Sequence, residues 1–300
     1  MLRILREEKG SAMVVMVVSI TVMMGFAALV IDIGNLYLNR IRLVNMADAA
    51  ALAGVQDLPS SPQLAINNAY RYAAQNGTNS DVVGVSLSTN DTVVTVNVTR
   101  TVPFFFAKIF GMISTDVSAR AVAGIKPITG VSDVVPFGVA KQQFIYGQTY
   151  TLKDGAGSGY DGNYGALALG GNGANIYRGN IENGYSGQLR IGDWVSTEPG
   201  NMSGATSTGV EYRISLDPTA TFATVQTGSP RILIVPIIDS LTVNGRSEVQ
   251  IVGFAAFFLE GVGGQGNKNY VTGRFLEMVV LGDTGSGSSS YGLYGASLIE

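Results

Sequence analysis

The sequence predicts a membrane-anchored α+β protein with a long N-terminal transmembrane helix, a small α+β domain and a C-terminal β-rich sandwich or barrel. Two observations lead to this prediction. Residues 11–31 form a run of 21 residues without a charged side chain. Glycine is concentrated after residue 127, where 31 of the 39 glycines separate short apolar runs. The predicted division is a cytoplasmic flank or short leader (1–10), a transmembrane and extended helix (11–56), a small α+β domain (57–127) and a Gly-rich β domain (128–300).

Residues 11–31 are expected to cross the membrane once. At about 1.5 Å per residue they span about 31 Å, the thickness of a hydrocarbon core. The flank before them carries Arg3, Arg6 and Lys9, and positive charge beside a span favours a cytoplasmic N-terminus. The run exceeds the apolar core of a secretory signal peptide, which has about 7–15 residues. We therefore expect a retained single-pass anchor in the cell membrane and an extracellular C-terminal domain.

The helix is expected to continue to about Val55, because no proline interrupts it. Asn35, Asn39, Arg42 and Asn45 recur at helical spacing and form a polar stripe. Two partners remain open for the apolar remainder: the globular part of the same chain, or a neighbouring subunit's helix in a filament. Small residues that let another backbone approach closely mark the candidate helix-packing positions: Gly25, Gly34, Ala47, Ala50, Ala51 and Gly54.

Residues 57–127 are predicted to form the small α+β domain. The phenylalanines at 104–106 are expected in its core, with a lipid-facing or partner-facing patch as the alternative. In chain order, the predicted elements are a helix opened by Ser61-Pro62 and ended by Gly77, a β-hairpin of residues 82–88 and 92–98, a short aromatic helix over 102–112, and a strand over 118–125.

Residues 128–300 are predicted to form the Gly-rich β domain. Residues 282–291 are expected to be a flexible Gly/Ser-rich piece. The G-x-G-x-x-G string at 261–266 lacks a following helix pattern and is interpreted as a turn. The predicted strands cover residues 149–152, 166–169, 188–195, 210–216, 231–238, 248–259 and 269–281.

The composition excludes several classes of chemistry. The 300 residues contain no cysteine and no histidine, and 14% are charged. Disulfides, thiolate nucleophiles, Cys- or His-ligated metals and Ser-His-Asp triads are therefore excluded, and a net charge of −3 offers no basic surface for nucleic acid. We predict no catalytic residues, cofactor or resident metal, and no enzyme. The open alternative is an envelope glycosidase using Asp193, Glu198 or Glu211.

One loop is rich in the oxygen ligands that calcium prefers. Asp154, Asp161 and Asn163 lie in the sequence DGAGSGYDGN, which lacks the spacing and the terminal glutamate of an EF-hand. A flexible loop is the competing interpretation.

The motifs around the span resemble those of a known family. Asp-Ile-Gly-Asn-Leu-Tyr-Leu at 32–38 follows the apolar run, and Asn-Met-Ala-Asp-Ala-Ala-Ala-Leu-Ala-Gly occupies 45–54. This pattern is similar to the TadE/TadG-like proteins of Flp (tight adherence) pilus assembly over residues 1–60, and weakly to 127. The resemblance implies a bacterial type IV-like pilus component, a pseudopilin or minor pilin. Its implied partners are the membrane and, through the N-terminal helix, other pilin-like subunits or itself.

The resemblance also implies two checks on individual residues. A prepilin peptidase cleaves after glycine, and Gly10 before Ser11 is the matching position. Processed relatives usually carry glutamate five residues into the mature chain, where this chain has Val15, so cleavage stays open. Many TadG-like proteins contain a von Willebrand A domain. The sequence at 239–243 does not fit its Asp-x-Ser-x-Ser motif, so we predict no such domain.

A second functional hypothesis competes with pilus assembly. Thirteen tyrosines, one tryptophan and many glycines resemble the residues of sugar-binding surfaces. The alternative is therefore a membrane-tethered adhesin whose β domain binds a surface glycan.

Overall fold

The computed structural model describes residues 9–153, 165–241, 245–285 and 289–299. The four α-helices in these residues are α1 (Lys9–Val55), α2 (Pro62–Asn76), α3 (Ala174–Asn183) and α4 (Ser203–Leu216). The strands are β1 (Val82–Leu87), β2 (Val93–Pro103), β3 (Ser114–Val131), β4 (Val139–Ala140), β5 (Thr149–Leu152), β6 (Leu167–Ala168), β7 (Leu189–Arg190), β8 (Trp194–Thr197), β9 (Ile232–Ile238), β10 (Glu248–Gly263), β11 (Tyr270–Leu276), β12 (Met278–Val279), β13 (Asp283–Thr284) and β14 (Leu293–Leu298).

Helix α1 is continuous over 47 residues, about 70 Å at 1.5 Å per residue. Its C-terminal half packs with α2 against β2, β3 and β14. The expected long helix is therefore confirmed, as are helix α2 and the β1–β2 hairpin.

The first sheet has the order β1-β2-β3-β14-β12. Strands β2 and β3 pair antiparallel over their whole shared length, from Val93 opposite Gly124 to Pro103 opposite Ser114. Alternate residues on the helix side are small or β-branched: Val94, Val96 and Val98 of β2 lie opposite Ala123, Ala121 and Ala119 of β3. All six are buried. Because a strand presents every second side chain to one face, this set gives α1 a close-packed surface.

The last strand of the chain belongs to this first sheet. β14 pairs antiparallel with β3, from Tyr294 opposite Pro127 to Leu298 opposite Ala123. β3 itself continues to Val131 and also pairs with β7 and β13. The predicted junction at 127–128 thus falls inside a strand, and residues after 128 complete the N-terminal sheet.

The second sheet has the order β4-β9-β10-β11-β5, with β8 pairing β10 and β6 pairing β8. Its two long strands are apolar on both faces. Leu233, Val235 and Phe257 pack in one core with residues of α3 and α4. Phe254 and Ala256 pack in another core with Ile128 and Val131 of β3 and their neighbours. Burial on both faces explains why 232–238 and 249–259 are nearly continuous apolar runs.

Two helices in this region were not predicted. Residues 210–216 were expected to form a strand, but they are the second half of α4. The buried positions of α4 are Thr206, Gly209, Val210 and Arg213, which recur at helical spacing. Gly209 packs closely against Ile181 of α3: a Cβ there would lie 2.8 Å from the Ile181 side chain. The alternation over 210–216 is therefore outweighed by packing between α3 and α4.

The segment after β2 also differs from the expectation. The aromatic helix predicted over 102–112 is a single 3₁₀ turn, Ala107–Phe110, because β2 continues to Pro103. Phe105 and Phe106 are exposed rather than in the core. The hairpin between β2 and β3 ends here, so these side chains project from its end.

Candidate functional site

The first half of α1 is apolar and unburied. Every large apolar side chain from Met13 to Ile31 is exposed, with exposed fractions between 41% and 70%. By length and composition, α1 contains a stretch that can cross a membrane. Other helices of this length in soluble proteins bury one face, and this stretch buries none.

The two hydroxyl side chains within this stretch are satisfied inside the helix. The Ser19 hydroxyl donates to the carbonyl of Val15, and the Thr21 hydroxyl donates to the carbonyl of Val17, both at 2.8 Å. Both hydroxyl protons are therefore hydrogen-bonded within the helix. An apolar solvent requires such internal pairing, because it offers no hydrogen-bond acceptor.

Asp32 marks the end of the exposed apolar stretch and binds the β2–β3 connection. Its carboxylate accepts hydrogen bonds from the backbone N–H groups of Phe105 at 2.7 Å, Ala107 at 2.8 Å and Phe106 at 3.1 Å. Three successive N–H groups around one carboxylate form an anion cradle of the kind seen at helix N-termini. Here the anion is the Asp32 side chain of α1, so these hydrogen bonds hold the β2–β3 hairpin against the helix at Asp32.

A second polar contact lies two helical turns further along α1. The Arg100 guanidinium of β2 donates to the Asn39 side-chain oxygen at 3.0 Å. The same guanidinium forms a two-point ion pair with Asp81, at 2.6 and 2.7 Å. This hydrogen bonding lowers the pKa of Asp81 from its ordinary value and raises that of Arg100. Asn39 therefore connects α1 to β2 and to the start of β1.

The predicted polar stripe is divided between two environments. Asn39 is buried and also bonds Asn35, at 2.9 Å to its carbonyl. Arg42 and Asn45 are exposed.

The candidate helix-packing residues also separate into two groups. Ala47, Ala50, Ala51 and Gly54 are buried in the first core of the same chain, beside Ala65 and Ala69 of α2. These four contact the globular part, the first of the two partners left open by the sequence. Gly25 and Gly34 have open space where a side chain would stand.

The tip of the β2–β3 hairpin, Phe104–Ile113, lies beside α1 and exposes a cluster of apolar side chains. Phe104 N–H donates to the Ile113 carbonyl at 3.0 Å and closes the tip. Its exposed apolar side chains are Phe105, Phe106, Ile109, Phe110, Met112 and Ile113. The structure therefore favours the lipid-facing or partner-facing alternative for the phenylalanines.

The C-terminal region contains a buried lysine whose partners within the described residues are neutral. Lys153 is 5% exposed. Its ammonium donates to the Asn201 carbonyl, to the Asn201 side-chain oxygen at 2.7 Å and to the Thr206 hydroxyl at 2.9 Å. Burial lowers the pKa of Lys153 to about 7. These contacts join β5 to α4, so the cluster has a structural role.

The three carboxylates considered for glycoside hydrolysis have separate surroundings. Asp193 accepts the Arg190 N–H in the β7–β8 turn, at 2.8 Å. Glu198 is buried and accepts from the Gly173 N–H and from Arg246. Glu211 is exposed on α4. Within the described ranges, no three Asp or Glu residues are grouped so as to hold a metal ion.

The candidate calcium loop and the candidate cleavage site are the two remaining sites predicted from the sequence. Asp154, Asp161 and Asn163 of the candidate calcium loop lie outside the described residues. Gly10 and Ser11 of the candidate cleavage site lie in the first turn of α1.

The clearest residues missed by sequence reasoning are Asp81 and Arg100. The hairpin register contains the signal, since Val82 lies opposite Thr99 and the next pair outward is Asp81 and Arg100. Asp32 was noted as part of a motif, but its contact with residues 105–107 crosses 73 or more positions of sequence and leaves no local signal.

Comparisons with known proteins agree with this geometry. Residues 10–57 match the family model described as "Putative Flp pilus-assembly TadE/G-like", and residues 42–123 match the one described as "Putative Tad-like Flp pilus-assembly". No curated protein and no solved structure matches the chain. The two matched regions cover α1, α2, β1, β2 and most of β3, which supply most residues of the first core. Residues 10–123 therefore carry both Flp pilus-assembly regions, and the resemblance to the TadE/TadG-like proteins is confirmed.

Proposed function

We propose that this chain is a membrane-anchored structural component of Flp-type pilus assembly, a pseudopilin or minor pilin whose globular part faces the cell exterior. The observation that carries the proposal is the continuity of α1. One unbroken helix joins an exposed apolar stretch, long enough to span a bilayer, to a buried half inside the region that matches the family models.

The division of α1 at Asp32 supports membrane anchoring. From Ala12 to Ile31 the helix rises about 30 Å, one hydrocarbon core. Beginning at Asp32, one face of the helix contacts β2, β3 and α2, while its other face stays exposed. In this arrangement α1 is exposed over the length of one hydrocarbon core and contacts the globular part immediately beyond it. The helix therefore holds the globular part at a set distance from the membrane.

The absence of cysteine from the sequence gives a direct test of orientation. Single cysteines at Ile4 and at exposed Ser289 form a matched pair on either side of the span. With a membrane-impermeant maleimide on intact cells, we expect labelling of Ser289→Cys alone, and labelling of Ile4→Cys after permeabilisation. Labelling of Ile4→Cys alone on intact cells would overturn the orientation, and release of either protein by alkaline carbonate would overturn the anchor.

Contact with other subunits is proposed through the exposed half of α1. Gly25 and Gly34 offer close approach to a second helix because no atom of the described residues fills the space beside them. Oxidation of Gly25→Cys or Gly34→Cys in membranes is expected to give cross-linked dimers, or adducts with a partner pilin carrying its own cysteine. Asn45→Cys, exposed on a part of α1 beyond the apolar stretch, is the control. Equal cross-linking of all three variants would contradict a specific helix contact.

Whether the chain is a subunit of the pilus itself is tested on purified filaments. Sheared and purified filaments are expected to contain the chain if it is a minor pilin, whereas its retention in the membrane fraction favours a pseudopilin that remains at the base. Intact mass of the mature protein decides the cleavage between Gly10 and Ser11. The glycan-binding alternative for the C-terminal region stays a prediction, tested by glycan-array binding of the full chain.

A further inference from the structure

We propose that the hairpin tip, Phe104–Ile113, is a second membrane contact, which inserts its apolar side chains into the lipid interface beside the point where α1 leaves the bilayer. The proposal rests on the membrane anchoring of α1 proposed above and extends it to a part of the chain outside the span.

The apolar character of the tip is unusual for a water-facing turn. Six large apolar side chains are exposed within ten residues, and Ile109, Phe110 and Ile113 are 82%, 83% and 71% exposed. Scattered exposed apolar residues need no explanation, but a contiguous cluster marks an interaction surface. Gly111 takes a left-handed conformation, with φ of 84°, which lets the chain reverse without returning these side chains to the core.

The position of the tip follows from two contacts with α1. Arg100 bonds Asn39, and five residues further along the hairpin Phe105 bonds Asp32. Along α1, Asp32 lies seven residues closer to the apolar stretch than Asn39, about 10 Å. The hairpin therefore runs toward the apolar stretch, and its tip, Phe104–Ile113, lies at the far end of the hairpin. If residues 12–31 fill the hydrocarbon core, Asp32 and the tip lie at its boundary.

The chemistry of the tip fits lipid better than protein. Residues 104–113 include one cation, Lys108, and no carboxylate. Phenylalanine and isoleucine partition into the acyl region while a lysine ammonium reaches the phosphate groups, as in interfacial membrane segments. The tip adjoins the exposed apolar half of α1, whose surface lipid covers in the proposed anchor. A bilayer that covers the exposed apolar half of α1 therefore also reaches the hairpin tip.

Tryptophan placement tests this insertion. The sequence has a single tryptophan, Trp194, so Trp194→Phe gives a silent background. Three tryptophans are then compared in that background: Phe110→Trp at the tip, Val22→Trp in the middle of the apolar stretch, and Leu281→Trp, at a side chain that is 97% exposed in the C-terminal region. Each full-length variant is reconstituted into phosphatidylcholine–phosphatidylglycerol vesicles that contain lipids brominated either near the headgroup or near the chain end.

We expect Phe110→Trp to emit at shorter wavelength than Leu281→Trp and to be quenched by bromine near the headgroup. Val22→Trp is expected to be quenched by bromine near the chain end, and Leu281→Trp by neither. If Val22→Trp is quenched while Phe110→Trp behaves like Leu281→Trp, the second contact is overturned and the anchor stands. Blue-shifted emission of Phe110→Trp without lipid quenching assigns the tip to a contact with protein, which in these vesicles is another copy of this chain, and also overturns the proposal. If Val22→Trp is not quenched, the anchor itself fails, and the tip proposal with it.

Discussion

The carboxylate of Asp32 and the backbone N–H of Phe105 lie 2.7 Å apart, although 73 residues separate them in the chain. Phe106 and Ala107 direct their N–H groups to the same carboxylate. Asp32 is almost fully buried, so its oxygens depend on these donors rather than on water. This cradle fixes the position along α1 at which the β2–β3 hairpin contacts the helix.

Replacing Asp32 with alanine is expected to loosen this junction. Three N–H groups lose their acceptor, and we expect the free energy of unfolding to fall. The amides of residues 105–107 should exchange faster with deuterium in the detergent-solubilised protein. Asp116→Ala is the matched control, because Asp116 is exposed and contacts the Thr101 side chain. Unchanged exchange at 105–107 in Asp32→Ala would show that the cradle is not needed.

The ion pair between Arg100 and Asp81 predicts an acid-sensitive first core. The hydrogen bond from Arg100 holds the pKa of Asp81 below its ordinary value of 3.8. Between the folded and unfolded pKa values the unfolded state binds more protons, so the free energy of unfolding decreases as the pH falls through that window. We expect the midpoint of thermal unfolding, followed by circular dichroism, to decrease below about pH 4.

Arg100→Gln tests the origin of this acid sensitivity. Without the guanidinium the pKa of Asp81 rises toward its unfolded value, so the decrease in the free energy of unfolding below about pH 4 should become smaller, and stability at neutral pH should fall by about 1–3 kcal/mol. Arg274→Gln is the control because its ion pair with Glu260 is partly exposed, and such pairs contribute about 0–1 kcal/mol. An unchanged acid transition in Arg100→Gln would mean that another carboxylate controls it.

Gly54 is expected to tolerate no side chain, although it lies within a helix. A Cβ on Gly54 would stand 2.8 Å from the Ala65 carbonyl oxygen and 3.1 Å from the Ala69 Cβ. Glycine-to-alanine changes in helices normally gain about 1 kcal/mol. Here the clash with α2 should reverse the sign and cost about 1–3 kcal/mol in chemical denaturation. Gly34→Ala, where space is open, should be neutral or stabilising; a loss as large as that of Gly54→Ala would refute the packing argument.

Lys153 predicts a pH dependence of the same sign for the C-terminal region, but in the alkaline range. Burial lowers its pKa to about 7 from 10.5 in the unfolded chain. Between these values the unfolded state binds more protons, so the free energy of unfolding should rise with pH from about pH 7 and level off above about pH 10. Denaturation followed by Trp194 fluorescence measures this slope. Lys153→Met should abolish it, whereas Lys268→Met, at an exposed position, should retain it. A flat profile for the unmodified chain would exclude a neutral Lys153.

The elements predicted correctly are those with a strong local pattern. The 21-residue uncharged run, helix α2 and the alternating β1 and β2 strands need a short window of sequence to be identified. Helix α4 was missed because Val210–Leu216 alternates like a strand. Its helical state depends on Gly209 packing against Ile181 of α3, almost thirty residues earlier.

The sequence by itself determined that an uncharged apolar run over residues 11–31 continues into a long helix and that the Flp pilus-assembly motifs follow it, because backbone propensity and hydrophobic periodicity act over a few residues. The tertiary structure decided which surface each part of that helix contacts. Ala47, Ala50 and Ala51 could have faced another subunit, but α2 and the first sheet cover them. The last strand, β14, returned to complete the sheet begun by β1. Such pairings join residues far apart in the chain, and their free energy depends on complementary shape and on buried hydrogen bonds that no local pattern contains.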